Sequence, residues 1–509
     1  MKIFYLKLFT AFFFLISNVT KAEVYNIIDF GAKAGGIILN TKAINDAVNK
    51  CFENGGGTVL VPAGTFVTGT IVLKSNVNLL LEAGAVLSGS ENLEDYSTTF
   101  HKNGIIFCED AYNVSISGKG TIQANGIKFY ETDKNHIYEE FDKNRTRQKQ
   151  NYMPEGTFFT DGPLKRKPKP GMTIVFYHCT KVSITGITIL DTPSWATRFG
   201  YCDDLVIDGV TIQNNILIPN SDGIHCTASR NIRISNCNIV AGDDAIVLTG
   251  FPKDEETPGF NSAEQDKHQY GNKTIYGENM TVTNCVLKSS SSGIRIGYGQ
   301  HPIRRCVFSN IIIYDSHRGI GIFAHDDSNI EDLIFTDIVI ETKLLNGQWW
   351  GHGEPIHLSC ISRFPGRKAG QIKNVQFNNI NATGEQGILI FGLKESTLEN
   401  IRFNNVQLHL RKGKETLTYG GNIDLRPASP IEMQIFEHDI PGIYAQHVNG
   451  LNIKEFKLTW ENDLPAFFTH GIECVHVNDL VIEDFAGGAN PNSSGKKVKL
   501  ENSVYRKVK

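Results

Sequence analysis

The chain contains 509 residues, of which 40% are hydrophobic and 20% are charged. This composition is typical of globular proteins and disfavours a disordered chain, a collagen-like chain and an integral membrane protein. Lysine and arginine number 50 against 54 aspartates and glutamates, a net charge of −4, so no overall basic charge indicates nucleic-acid binding. Length leaves the number of domains open, since repetitive β structures of this size form single domains.

Residues 1–22 show the order of features of a secretory signal peptide. Two lysines precede an apolar run over 8–16, and small residues follow up to Ala22. The run is too short to span a bilayer and no similar run follows, so we predict no membrane anchor. Cleavage before Glu23 gives an exported protein, secreted or periplasmic. The alternative is that the run forms a buried N-terminal strand.

A capping helix is predicted near the start of the mature chain. Residues 41–51 carry apolar side chains at helical spacing and precede Gly55–Gly57, which is a strong turn signal. We place this N-terminal cap at about residues 23–75. A helix here covers the unpaired strand edges that a stack of strands leaves at its end.

A sequence repeat is the strongest structural signal in the chain. Residues 182–189 alternate apolar and polar side chains, change phase at Gly186 and alternate again, and uninterrupted copies lie 23 to 27 residues apart. Nine further copies, the last of them partial, occupy 205–212, 232–239, 280–287, 306–313, 333–340, 375–382, 401–408, 451–458 and 480–485.

The residue at the phase change belongs to types that adopt left-handed backbone conformations. It is Gly186, Gly209, Asn236, Asn284, Asn310, Asp337, Asn379 or Asn405. Each unit is therefore predicted to be a strand, a one-residue bend and a second strand, and successive units stack about 4.8 Å apart. This predicts an all-β, single-stranded parallel β-helix. We interpret the Asn column as a ladder of side-chain amides that hydrogen-bond one another.

The ten cysteines are scattered along the chain and do not form a compact disulfide framework. Cys237, Cys285 and Cys306 occupy apolar positions of the repeat. We therefore predict buried thiols and few or no disulfides.

Three long interruptions break the repeat, at about 128–170, 251–278 and 342–371. Insertions in a stacked repeat become loops on one face, where they commonly form the walls of a cleft. The cap, the repeat and these loops together predict one domain over residues 23–509.

Three aspartates lie almost one coil apart. Asp222 precedes one repeat copy and Asp243-Asp244 follow it, 21 residues further on. On adjacent rungs, like-charge repulsion raises the pKa of at least one carboxyl group. This pattern is typical of acid–base catalysis, although solvated turn aspartates are the alternative for either motif alone.

These motifs resemble those of glycoside hydrolase family 28, the polygalacturonase family. Asn220-Ser221-Asp222 is similar to its Asn-Thr-Asp motif, and Gly242-Asp243-Asp244 is similar to its Gly/Gln-Asp-Asp motif. Residues 29–32 and 55–59 resemble the cap of exported pectin-active β-helices. The resemblance covers nearly the whole mature chain. It implies a right-handed, pectin-lyase-like parallel β-helix.

The resemblance also implies roles for the aspartates. Asp243 would protonate the glycosidic oxygen, while Asp222 and Asp244 would hold and deprotonate the attacking water. The family inverts the anomeric configuration. The implied substrate is a pectin-like or other acidic polysaccharide or its oligosaccharides, and neither a cofactor nor a metal ion is expected. The oligomeric state is left open.

Two family motifs are altered. Ser292 replaces the histidine of a Gly-His-Gly motif, and Gly321 and Phe323 replace the cations of an Arg-Ile-Lys motif that would bind a uronate carboxylate. We therefore predict a preference for something other than plain homogalacturonan. Asn220 and Ser292, at the motif positions, are candidate substrate contacts.

Three residues nearby are candidate replacements for the missing cations. Arg295 follows the first altered motif and His317 and Arg318 precede the second, on neighbouring coils, and arginine side chains suit carboxylate or sulfate recognition. The alternative is that each is an exposed turn cation.

The third interruption contains two adjacent tryptophans, Trp349 and Trp350, followed by His352 and Glu354. Flat aromatic faces suit sugar rings, so we predict a cleft wall that binds substrate. Packing of this loop on the solenoid is the alternative. Trp195, just before the rung of Asp222, is a similar candidate.

Two other functions fit the same residues. Parallel β-helices also include polysaccharide lyases, in which clustered aspartates bind calcium and a basic residue such as Arg295 removes a proton. A non-catalytic carbohydrate-binding β-helix is the third hypothesis, with the aspartates accepting hydrogen bonds from sugar hydroxyls.

Overall fold

A computed structural model describes residues 23–99, 102–136, 163–251 and 274–505. The predicted signal peptide lies outside these residues, as do 137–162 of the first predicted interruption and 252–273 of the second. Within the described part of the chain, no helix has the length and apolar character needed to cross a membrane.

The predicted parallel β-helix is confirmed. Within the described residues, 32 strands form one sheet with parallel pairing between neighbouring coils, and the strands stack in three columns. In the first column lie Val24–Asn26, Gly57–Val61, Val77–Leu81, Tyr112–Gly118, Thr180–Thr185, Asp203–Asp208, Arg230–Ser235 and Val481–Glu483. In the second lie Gly64–Thr68, Ala85–Gly89, Thr121–Gln123, Thr188–Leu190, Thr211–Gln213 and Asn238–Ala241.

In later coils the first and second columns share continuous strands. These long strands are Gly277–Ser289, Ile303–Ser316, Ile330–Thr342, Ile372–Gly384, Leu398–Leu410 and Ile443–Trp460. The last of them begins in the third column, where Ile443 pairs with Ile388. In the third column lie Ile71–Val72, Ile106–Glu109, Ile174–Tyr177, Thr197–Gly200, Ile224–Thr227, Ile246–Gly250, Ser292–Gly299, Arg318–Phe323, Ile356–Ser359, Ile388–Phe391, Ile472–Asn478 and Val498–Glu501.

The capping helix occupies Thr41–Glu53 and buries Ile44, Ala47, Val48 and Cys51, which confirms the helix predicted over 41–51. Single-turn helices lie at Ile27–Phe30, Leu93–Asp95, Gly126–Phe129, Thr416–Tyr419 and Ile431–Met433. Two antiparallel strand pairs leave the solenoid, namely Tyr130–Asn135 with Leu164–Arg166 and Asn422–Asp424 with Ile435–Glu437.

The predicted bends are all present. The eight residues assigned to the phase change have φ angles between 51° and 72°, which is the left-handed region. Part of the column forms the predicted ladder, since Asn379 Nδ2 donates to Asp337 Oδ1 at 2.9 Å and Asn405 Nδ2 donates to Asn379 Oδ1 at 3.0 Å.

We expect Asn379→Ala to destabilise the protein by about 1–2 kcal/mol, because alanine in a left-handed conformation costs roughly 1–2 kcal/mol and the ladder hydrogen bonds are also lost. Asn379→Gly should cost less, since glycine adopts this conformation without strain. Urea unfolding of the two variants measures the difference. Equal losses would mean that the amide, and not the backbone conformation, determines the choice of residue.

The interior of the solenoid is filled by stacked side chains of the same type. Phe308, Phe335, Phe377 and Phe403 lie on successive coils with ring centroids 4.7, 5.1 and 4.9 Å apart. All ten cysteines are buried free thiols, as the repeat predicted. The large continuous core fixes the position of each rung, and hence of the turn residues that form the cleft.

The third predicted interruption contains an ordinary rung strand in addition to inserted residues. The interval 342–371 contains the rung strand Ile356–Ser359, which pairs with the strand before it in the register Ile320↔Ile356. This strand has only four residues and polar loops on both sides, so its sequence pattern does not distinguish it from the insertion around it. The sequence also missed a further departure from the repeat at 411–442, which carries the hairpin Asn422–Asp424/Ile435–Glu437.

Candidate active site

The three aspartates lie at the turns that lead into the third strand column. Asp222 precedes strand Ile224–Thr227, and Asp243 and Asp244 precede strand Ile246–Gly250. These strands pair directly, and Gly223 N donates to Asp244 O at 2.9 Å. The carboxylates therefore lie on adjacent rungs of one face, as their spacing predicted.

These carboxylates line a cleft of about 350 Å³. Its walls combine acidic, cationic and aromatic side chains. The lining residues are Trp195, Asn220, Asp222, Asp243, Asp244, Phe251, Ser291, Arg295, Tyr298, Arg318, Trp350, Arg363, Phe364 and Pro427.

Gly242 is required for the turn before the aspartate pair. A Cβ atom at this position would lie 2.3 Å from the carbonyl oxygen of Ile218 and 2.5 Å from Ser221 Oγ. Ser221 Oγ accepts a hydrogen bond from Gly242 N at 3.0 Å and donates to Ile218 O at 2.8 Å. This close packing of two turns holds the two acidic motifs against each other.

Asp243 accepts hydrogen bonds from three N–H groups. Its Oδ2 atom lies 3.2 Å from Asn220 N and 3.3 Å from Asn220 Nδ2, and its Oδ1 atom lies 3.0 Å from Asp244 N. Arg166 donates to the Asn220 side-chain oxygen, which orients the amide. Burial and the neighbouring Asp244 raise the pKa of Asp243 to about 7, although Arg295 and these N–H donors oppose the shift. Asp243 can therefore hold a proton near neutral pH.

Asp222 is buried more deeply and contacts a histidine. Its Oδ2 atom lies 2.9 Å from His225 Nδ1. Burial, followed by repulsion from Asp243 and Asp244, raises the pKa of Asp222 well above its usual range, and Arg295 opposes this. Two of the three carboxyl groups thus have strongly raised pKa values, as expected for an acid–base site.

Asp244 forms the ion pair of the site. Arg295 Nε donates to Asp244 Oδ2, and Ser292 N donates to Asp244 Oδ1 at 2.9 Å. Arg295 Nη1 also donates to Gly297 O at 3.0 Å, and Nη2 lies 4.0 Å from Asp222 Oδ2. Most of the hydrogen-bonding capacity of this guanidinium is therefore taken up by contacts within the protein. It compensates the charge of the buried carboxylates.

The structure separates the predicted substrate contacts into two groups. Asn220, Arg295, Arg318 and Trp350 line the cleft, while Ser292 reaches the site through its backbone N–H. The remaining four are buried and do not line it. They are His317, Trp349, His352 and Glu354.

The buried group packs beneath the cleft wall. Glu354 Oε1 lies 3.4 Å from Arg318 Nη2 and 3.2 Å from His357 Nδ1, and its Oε2 accepts from His352 N at 2.7 Å. The side chain of Trp349 is only 3% exposed. Of the adjacent tryptophans, one therefore anchors the loop and Trp350 faces the cleft.

Neighbouring side chains fill the space above Gly321. A Cβ atom there would lie 2.6 Å from the Phe323 ring and 3.2 Å from Arg318 Cδ. Arg318 comes from the same strand, and its guanidinium lies over the Phe323 ring at 4.9 Å. The Phe323 ring and the alkyl part of the Arg318 side chain therefore fill the space around the two positions at which the family has cations.

Sequence reasoning missed several cleft residues. Tyr298 and Arg363 lie on different coils, yet their side chains pack at 5.3 Å, and Phe251, Phe364 and Pro427 complete the wall. His225 was also missed, although it lies only three residues after Asp222. The three-residue separation from Asp222 is the sequence feature from which His225 could have been predicted to lie at the site. Within the described residues, no group of three or more His, Cys, Asp or Glu side chains is placed to hold a metal ion.

Comparisons with known proteins match these features. The family model "Glycosyl hydrolases family 28" matches residues 51–327. A probable polygalacturonase of Vitis vinifera is 28% identical over 246 residues, which cover 45% of this chain and 44% of that protein. An endo-polygalacturonase of Pectobacterium parmentieri is 24% identical over 369 residues, 66% of this chain and 86% of that protein.

A solved structure has the same fold. The family 28 exopolygalacturonase of Yersinia enterocolitica superposes with a TM-score of 0.61 at 17% identity, covering 92% of this chain and 78% of that one. The family match spans more than half of the chain and includes all three cleft aspartates. The chain therefore belongs to glycosyl hydrolases family 28 and is a glycoside hydrolase.

Proposed function

We propose that this protein is an exported hydrolase that cleaves glycosidic bonds in a pectin-like acidic polysaccharide, or in its oligosaccharides, with inversion. The observation that carries the proposal is Asp243, whose pKa of about 7 is set by burial and by Asp244 inside a cleft lined by aromatic and cationic groups. The names of the two relatives, a probable polygalacturonase and an endo-polygalacturonase, support a pectic substrate. The signal-peptide pattern of residues 1–22 supports export.

In this mechanism Asp243 is the general acid. It transfers its proton to the glycosidic oxygen as the bond between that oxygen and the anomeric carbon breaks. A water molecule held by Asp222 and Asp244 attacks the anomeric carbon from the opposite face and gives a proton to one of these carboxylates. Inversion requires room for that water, with roughly 6.5–9.5 Å between the acid and the base.

The walls of the cleft suit a sugar that carries a negative charge. Trp195 and Trp350 are partly exposed and line the cleft, and aromatic faces pack well on sugar rings. Arg318 also lines it, and its Nε atom is buried without a hydrogen-bond partner in the described structure. We assign Arg318 as the contact to a substrate carboxylate, since Arg295 is largely occupied by Asp244 and Gly297.

Product analysis on a panel of pectic and algal oligosaccharides tests the proposal. Hydrolysis gives saturated ends, whereas a lyase leaves an unsaturated ring that absorbs in the ultraviolet. Because Gly321 and Phe323 replace the family's cations, we expect branched or alternating pectic chains to be cleaved faster than unsubstituted polygalacturonan. The opposite order of rates would contradict this specificity, but not the assignment as a hydrolase.

We expect activity to survive removal of divalent cations. The guanidinium of Arg295 already provides a positive charge beside Asp244, and a second cation at the same carboxylate would be repelled. The measurement is the rate on the best substrate before and after treatment with a chelator. Complete loss with recovery on adding calcium would favour the lyase hypothesis.

A further inference from the structure

The side chain of His225 lies behind the catalytic face and links three parts of the site. It is fully buried. Its ring stacks on Trp195 with centroids 3.6 Å apart and an interplanar angle of 16°. Nδ1 lies 2.9 Å from Asp222 Oδ2, and Nε2 lies 3.3 Å from Thr249 Oγ1. Both ring nitrogens and one ring face therefore have fixed partners.

The charges around His225 keep the ring neutral. Burial, together with Arg295 and Arg198, holds the pKa of His225 well below its ordinary value. A neutral imidazole has one N–H donor and one acceptor nitrogen, and a carboxylate can only accept. While Asp222 is ionised, Nδ1 must therefore carry the hydrogen, and Nε2 can accept from the Thr249 hydroxyl, which also lies 3.1 Å from Thr227 Oγ1.

We propose that His225 is a positioning residue that fixes Asp222 by donating its Nδ1–H to Oδ2, so that the other carboxylate oxygen is left to hold the attacking water. This inference rests on the proposed function, in which Asp222 acts on water. Asp222 Oδ1 is buried without a hydrogen-bond partner among the described residues. Thr249 Oγ1 lies within hydrogen-bond distance of the other ring nitrogen, and the stacked ring holds Trp195 against the cleft.

The direction of the pH effect follows from the groups that face Asp222. Asp243 and Asp244 raise its pKa and Arg295 lowers it, and the His225 N–H stabilises the carboxylate form. Without that donor the pKa of Asp222 rises further. The acid limb of the pH profile of kcat/KM, which reports the base in the free enzyme, then moves to higher pH.

His225→Phe tests this inference, because phenylalanine retains the ring stacked on Trp195 but removes the donor. We expect kcat to fall about ten- to a hundredfold, the range of a hydrogen bond to a charged group. KM should change little, and the acid limb should rise by about one unit or more. His225→Asn places an amide N–H near the position of Nδ1 and should restore the limb and part of kcat.

Two further variants separate this role from simple packing. His325 is equally buried and contacts Ser359 Oγ at 2.7 Å, so His325→Phe should lower stability but leave the acid limb in place. Thr249→Val should move the acid limb of the pH profile in the same direction as His225→Phe, but by less. If His225→Phe does not fold, Thr249→Val still tests the inference.

Wild-type values of kcat and of the acid limb in both His225→Phe and Thr249→Val would overturn the inference, and so would an equal limb shift in His325→Phe. A wild-type protein that hydrolyses none of the pectic substrates would instead overturn the proposed function, and this inference with it.

Discussion

Asp243→Asn should reduce turnover by about a hundredfold or more, since a positioned general acid contributes roughly 10²- to 10⁴-fold. An amide cannot supply the proton that the departing glycosidic oxygen needs. The measurement is the rate of reducing-end formation on the best pectic substrate. In the wild type, the rate should also decline as the pH rises through about 7, where Asp243 loses its proton. A variant that retains more than about a tenth of wild-type activity would remove Asp243 as the acid.

The same substitution should increase stability at neutral pH. The folded-state pKa of Asp243 is raised from 3.8 to about 7, so ionisation of this buried carboxyl group costs the folded state stability as the pH rises between these values. Three pKa units correspond to at most about 4 kcal/mol. Asp243→Asn should therefore unfold at a higher temperature than the wild type at pH 7, and the difference should shrink towards pH 4.

Asp337→Asn is the matched control. Asp337 lies in the bend column and accepts a hydrogen bond from Asn379, and an asparagine oxygen can accept the same bond. Its activity should equal that of the wild type. Equal losses of activity in the two variants would point to a general effect of removing a negative charge.

The periodic part of this structure could be predicted from the sequence because every coil has the same pattern of buried side chains and the same bend. Alternating side chains and a bend residue recur at one interval, so the bend at Asn379 and its stacking on Asp337 follow from the pattern. The adjacency of Asp222 and Asp244 follows from the same interval, since 22 residues make up one coil here. Local spacing therefore determined both the fold and the position of the acidic groups.

The non-periodic parts could not be predicted in this way. Arg363 and Pro427 reach the cleft from loops whose paths the repeat does not specify. The choice between Trp349 and Trp350 depends on how one loop packs. Arg295 was expected to bind a substrate anion, yet its Nε atom pairs with Asp244. Its closest partner lies 51 positions earlier, across an insertion, and sequence spacing does not indicate side-chain direction over such a distance.

Arg295→Met should cause the largest combined loss, in both stability and activity. Arg295 and Asp244 form an ion pair whose side chains are 8% and 4% exposed. Removing one partner of a buried pair leaves an uncompensated charge and costs about 3–5 kcal/mol. Arg295 also lowers the pKa of Asp222, so methionine would favour protonation of a carboxyl group that should act on water. We expect little measurable turnover at neutral pH.

The pH dependence and a double variant distinguish this electrostatic role from packing. Because protonated carboxyl groups need no cation, the destabilisation of Arg295→Met should be greatest near pH 7 and should decrease as the pH falls. Arg295→Met combined with Asp244→Asn should recover much of the lost stability, with a coupling free energy of about 1–3 kcal/mol in a thermodynamic cycle. Activity should remain absent, since the group that holds the water has been neutralised. Additive losses of stability in the cycle, or a substantially active Arg295→Met, would contradict this electrostatic role. Arg295 would then again be a candidate substrate contact.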